Sequence, residues 1–225
     1  MSRSPAPRPG FVAFPPPSER VSPAEPGTAR AARWEKEVAA IGKHLAAAPP
    51  KAGGVVFAGS SSTRLWKLDE SFPGKGYVNV GFGGSEIRDS TVAAPRLITP
   101  HRPKAVVLYA GDNDIASGRT PAQVAADFRA FVAAVRKDVP DCKVYFIAVK
   151  PSIARWNKQD VQAKANGLVK AACDADPKLG YVDVAPLMLG PDGRPLPELF
   201  VKDGLHMSPA GYARWTAAVA AALDR

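Results

Sequence analysis

The chain has 225 residues, 46% hydrophobic and 23% charged, the composition of an ordinary globular protein with room for one α/β domain and a sizeable core. Its longest apolar runs are broken by Gly, Pro or charge well short of a bilayer's width, which excludes a transmembrane helix. The formal net charge of +9 comes with no nucleic-acid-binding motif, so it reads as a solvated basic surface and no nucleic-acid partner is expected.

Residues 1–28 hold eight prolines and read as an extended N-terminal segment, because proline neither propagates a helix nor fills a strand ladder. Through residue 33 this end carries five Arg against two Glu, so part of the positive surplus sits there. Its longest apolar run, Phe11-Val12-Ala13-Phe14, is too short for a signal-peptide core. The sequence as given therefore names no compartment: cytoplasmic is the default, and a secreted protein with its leader removed would read the same. Residues 29–225 read as a single domain.

That domain begins with a helix over 29–47, on which Trp34, Val38, Ile41 and Leu45 recur at helical spacing. Apolar runs at 54–59, 77–81, 104–110, 143–149 and 180–184 then read as strands, separated by amphipathic stretches. The clearest helix starts at Thr120-Pro121-Ala122-Gln123, a capping box with proline at the first helical position, and carries Val124, Phe128, Phe131, Val132 and Val135 on one face. Others run over 158–175 and from Ser208-Pro209 to the end. Strands with nearly all-apolar interiors, alternating with helices, imply a parallel sheet covered on both faces. Cys142, at a strand start, and Cys173, near a helix end, fall close together in this layout. Two buried free thiols are the expected state, with a pairing left open.

In an open parallel sheet, ligands bind beyond the carboxyl ends of the strands. Four polar motifs fall there: Gly59-Ser60-Ser61-Ser62, Asn79 through Ser85, Gly111-Asp112-Asn113-Asp114, and Asp203-Gly204-Leu205-His206. Each has a structural reading, since serines cap helices and Gly or Asx residues make turns. One mechanism accounts for all four: serine, histidine and aspartate are the parts of a nucleophilic triad. Two other motifs fail. Glu86 stands where a dinucleotide fingerprint needs its third glycine, and Thr63 stands at the second glycine of an α/β-hydrolase elbow.

These four blocks, in this order, resemble those of the SGNH, or GDSL-type, hydrolases, which are serine esterases and acylhydrolases. The resemblance runs from about Trp34 to the C-terminus. It implies a flavodoxin-like three-layer αβα fold with a five-stranded parallel sheet. It also implies Ser61 as nucleophile, Asp203 and His206 as its partners, and an oxyanion hole formed by Ser61, Gly84 and Asn113. The first block departs from the family's pattern, with Ser60 for the usual Asp and Ser62 for the usual Leu. That leaves three consecutive serines, among which the count from Gly59 selects Ser61.

The expected reaction is hydrolysis of a carboxylic ester through an acyl-enzyme, with no metal or cofactor. The alternatives are a metal-dependent phosphoesterase using Asp112, Asp114, Asp203 and His206, or a carbohydrate-binding module that kept the fold without catalysis. Trp66, Arg155 and Trp156 are candidate substrate contacts, although each tryptophan is equally suited to packing. Family resemblance points to short acyl groups, acetyl first, on a small molecule or a carbohydrate. Oligomeric state is not legible.

Overall fold

The computed structural model describes residues 27–224, with side chains from Ala31 onward. The Pro-rich segment 1–28, with its extended reading, lies outside them except for Gly27 and Thr28, which open α1 (Gly27–Ala47). The five apolar runs form β1 (Val55–Gly59), β2 (Val78–Asn79), β3 (Ala105–Tyr109), β4 (Lys143–Ile147) and β5 (Leu179–Val182). They make one sheet in the order β2-β1-β3-β4-β5, with every neighbouring pair parallel. This is the flavodoxin-like order, and its direction of winding switches between β1 and β3.

Successive side chains on a strand point to opposite faces, so an uninterrupted apolar run feeds two cores at once. Val56, Ala58, Val106, Leu108, Val144 and Phe146 face one layer, and Val55, Phe57, Ala105, Val107, Tyr145 and Ile147 face the other. The first layer is α1 with α4 (Ile87–Leu97), α6 (Pro121–Asp138) and α7 (Gln159–Asp174). On the second lie α3 (Leu68–Ser71), α8 (Pro209–Leu223) and the long segment between β5 and α8, whose two 3-10 turns supply Met188 and Leu199 and whose loop supplies Met207. Two short helices, α2 (Ser61–Arg64) and α5 (Asp112–Ala116), follow β1 and β3 directly.

The predicted caps are made. Thr120 Oγ1 accepts from Gln123 N at 3.3 Å while Gln123 Oε1 accepts from Thr120 N at 2.9 Å. Ser208 Oγ accepts from Gly211 N at 3.3 Å. Helix α4 is one that periodicity does not single out, because Pro95 lies within it. Proline there costs little, since it falls in the last turn, and Glu86 N donates to Asp89 Oδ2 at 2.8 Å to close the helix start.

Strand β2 is shorter than its apolar run. The Asn79 amide donates to the carbonyls of Thr63 and Trp66 at 2.7 and 3.1 Å and accepts from Gly81 N at 3.0 Å, which turns the chain out of the sheet. Cys142 and Cys173 are both free and buried, and burial pushes their thiols up to about 11 and about 12. Among the described residues no helix is long and apolar enough to cross a membrane.

Phe128 is fully buried against Phe146, with ring centroids 5.1 Å apart in an edge-on arrangement. Phe128→Ala removes that packing and is expected to destabilise the protein by about 3–5 kcal/mol, measured by urea unfolding.

Candidate active site

Gly59, the last residue of β1, has φ of +125°, and a Cβ there would lie 1.9 Å from the carbonyl oxygen of Tyr109. Only glycine lets the chain turn so close to its neighbour. The turn is held by Ser60 N donating to Tyr109 O at 2.9 Å, and it delivers Ser61 as the first residue of α2. The Ser61 N–H therefore has no partner within its own helix. The three consecutive serines differ sharply: Ser60 and Ser62 are buried, whereas Ser61 is partly open.

Ser61 Oγ lies 2.9 Å from His206 Nε2, and His206 Nδ1 lies 2.6 Å from Asp203 Oδ2. The other carboxylate oxygen, Asp203 Oδ1, accepts from the backbone N–H groups of Leu205 and His206 at 2.8 and 2.9 Å. Desolvation pushes this carboxyl up, but the His206 hydrogen bond, the two backbone donors and the charge of His206 outweigh it and bring Asp203 down to about 2. The loop is braced by Val201 N on His206 O, Gly204 N on Val201 O and a bridge between Phe200 and Met207.

Gly84 has φ of +77°, and a Cβ added to it would come within 3.3 Å of the Trp34 ring. Beside it, Asn113 Nδ2 donates to Ser85 O at 2.9 Å, leaving its second N–H for another acceptor. The short helix carrying Asn113 is tied down by Asp114, whose carboxylate accepts from Gly111 N at 2.9 Å and Ile87 N at 3.0 Å. Burial lifts Asp114 to about 7 despite those two donors, with Glu86 and Asp127 adding repulsion. Ser61, Gly84, Asn113 and His206 line one cavity of about 500 Å³.

The other expected contacts, Trp66, Arg155 and Trp156, do not line that cavity, although Trp66 lines a larger groove that His206 shares. Arg155 is turned inward: its Nη2 donates to Asn113 Oδ1 at 3.0 Å and its Nη1 pairs with Asp112 Oδ1 at 2.7 Å. The Trp156 ring carries the Arg194 guanidinium, 4.9 Å from its centroid. Trp66 is buried against Phe57 and Trp215 and donates from Nε1 to Ser71 Oγ at 2.9 Å. The carboxylates of the alternative cation site have separate occupations, Asp112 with Lys150 and Arg155 and Asp114 with backbone N–H groups. Among the described residues no three His, Cys, Asp or Glu side chains gather as a metal-binding group.

Two cavity residues were not foreseen, Glu37 and Arg64. Arg64 lies one helical turn after Ser61, and Glu37 lies three residues after Trp34 on α1, so the helical repeat was the available signal. A groove of about 1050 Å³ was also not foreseen. It is lined by His206 and Asp203 and runs between α3 and α8 past Leu65, Phe72, Val201 and Tyr212.

A parallel αβα sheet with a serine–histidine–aspartate chain at its carboxyl edge is an arrangement found in serine hydrolases. Residues 51–214 match the GDSL-like lipase/acylhydrolase family, and the chain belongs to that family. It is an ester hydrolase. Solved structures agree on the fold. A GDSL-like lipase from Bacteroides thetaiotaomicron superposes with a TM-score of 0.70 at 21% identity, covering 83% of this chain and 97% of the other. An acetylxylan esterase from Geobacillus stearothermophilus gives 0.62 at 17% identity over 77% and 95%. The catalytic domain of a Streptococcus pneumoniae peptidoglycan O-acetyltransferase gives 0.58 at 16% over 77% and 94%. No curated protein matches the chain in sequence.

Because the Asp203 carboxyl is held down at about 2, it keeps its charge as pH falls and loses it only near that value. Its contribution to stability, small at so exposed a site, is accordingly present above its ordinary value of 3.8 and lost as pH falls through about 2. In a pH profile of kcat/KM the Asp203 carboxyl is expected to add no inflection above about pH 4. Asp203→Asn should lower activity throughout the range.

Proposed function

We propose that the protein is a serine esterase that removes short acyl groups, acetyl above all, from small-molecule or carbohydrate esters. The observation that carries this reading is the chain of contacts from Ser61 Oγ through His206 to Asp203, at 2.9 and 2.6 Å. His206 Nε2 takes the proton of Ser61 as its oxygen attacks the ester carbonyl. Asp203 holds the imidazole with Nδ1 protonated and stabilises the imidazolium that forms. The backbone N–H groups of Ser61 and Gly84 and the Asn113 amide receive the oxyanion. His206 then protonates the departing alcohol, and water releases the acyl group with His206 as base again. No cofactor enters these steps.

Glu37 and Arg64 give the cavity a charged wall suited to a hydroxyl-rich alcohol. Two proteins that share the fold, the acetylxylan esterase and the peptidoglycan O-acetyltransferase domain, are named for acetyl chemistry, which supports the same acyl group. The apolar groove that His206 also lines favours a second reading, an ester with an apolar chain.

Ser61→Ala or His206→Ala is expected to lower kcat on p-nitrophenyl acetate by at least about 10⁴-fold, with activity of the parent protein unaffected by EDTA. Rates at background for both parent and His206→Ala would instead favour a binding module. A panel of acyl esters from C2 to C12 with acetylated xylan should peak at C2 and include the polysaccharide. A maximum at C8 or beyond, abolished by Ala217→Trp in the groove, would select the apolar ester.

A further inference from the structure

We propose that Arg155 is a positioning residue for the oxyanion hole, acting through Asn113 and never touching the substrate. The inference rests on the reading of Asn113 as an oxyanion donor. An amide side chain has two faces, and only its N–H face can receive an oxyanion; turned over, Asn113 would present a carbonyl oxygen and repel it. Two contacts select the productive face. Asn113 Nδ2 donates one hydrogen to Ser85 O at 2.9 Å, and Asn113 Oδ1 accepts from Arg155 Nη2 at 3.0 Å. The acceptor end of the amide is thus covered by a guanidinium, and the second N–H is left for the cavity that Asn113 shares with Ser61 and His206.

The cation also polarises the amide. A positive charge on the carbonyl oxygen draws electron density away from the nitrogen and strengthens the N–H as a donor, in the way that hydrogen bonds arranged in a chain reinforce one another. The effect is largest when the oxyanion forms, so it belongs to the transition state and not to substrate binding.

Arg155 is itself held from behind. Its Nη1 pairs at 2.7 Å with Asp112 Oδ1, a nearly buried carboxylate. The other oxygen, Asp112 Oδ2, faces the Nζ of Lys150 at 3.4 Å, and Lys150, fully buried, also reaches Tyr109 OH at 3.3 Å. Two cationic side chains therefore share one carboxylate beneath the oxyanion hole. The guanidinium fork suits the task because two of its nitrogens serve Asp112 and Asn113 at once, which a single ammonium cannot copy. The preceding residue completes the brace: Ala154 N donates to Gly204 O at 3.0 Å, inside the loop that carries Asp203 and His206.

The test is a double-mutant cycle on p-nitrophenyl acetate, with Arg155→Met and Asn113→Ala singly and combined. Asn113→Ala alone should lower kcat by about 100- to 1000-fold; a loss below about tenfold would remove the parent reading of Asn113. Given that loss, Arg155→Met in the parent background should lower kcat by about 10- to 100-fold with KM within about twofold. In the Asn113→Ala background the same change should alter kcat by less than about twofold, because its target is gone. Equal losses in both backgrounds would mean a general structural role and overturn the proposal. A rise in KM with kcat preserved would make Arg155 a substrate contact and overturn it too. Should Arg155→Met fail to fold, Arg155→Lys keeps a cation against Asp112 while giving up the bond to Asn113, and it must show the same dependence on Asn113.

Discussion

All five strands run the same way, so five loops leave the sheet at one edge, and every group in the site depends on that alignment. The tightest point is where β1 and β3 end side by side, with Gly59 so close to the Tyr109 carbonyl that no side chain fits. The direction of winding switches between these two strands, which opens a crevice at their ends. Ser61 enters it from β1 and Asn113 from β3. Gly84 comes from the loop after β2, Arg155 from the segment after β4, and His206 from the loop after β5. A shift of β1 against β3 would move Ser61 away from Asn113.

Three aspartates at this edge show how environment divides one chemical group into different tasks. Asp203, exposed and supplied with three donors, is held as a carboxylate down to about 2. Asp114, buried beside other acids, is pushed up to about 7 and serves as a clamp between α4 and α5 through two backbone N–H groups. Asp112, nearly buried, is matched by Lys150 and Arg155. Taking an isolated charge out of water is costly, so buried Lys150 and Asp112 and the partly buried Arg155 persist as a group.

Much of this was legible in the residues. The five strands, the capped helices at Thr120 and Ser208, and the four blocks at strand ends follow from local rules of periodicity, capping and turn chemistry. Helix α4 is hidden from periodicity because Pro95 lies inside it, and β2 stops short of its apolar run because the Asn79 side chain diverts the chain. Of the candidate substrate contacts, Trp66 went into the core, where an indole buries the most apolar area, and Arg155 turned toward the acceptor atoms of Asn113 and Asp112.

The sequence by itself determined which residue types stand at the ends of which strands, since alternation and capping act over a few residues. It determined the parallel sheet for the same reason, because unbroken apolar runs need cover on both faces. Only the tertiary structure decided partnerships. Ser61 and His206 are 145 residues apart in the chain, and nothing local says that their side chains meet at 2.9 Å. It also decided which of three serines is open to a substrate and where the basic side chains point, because those outcomes depend on distances across the sheet that no local pattern encodes.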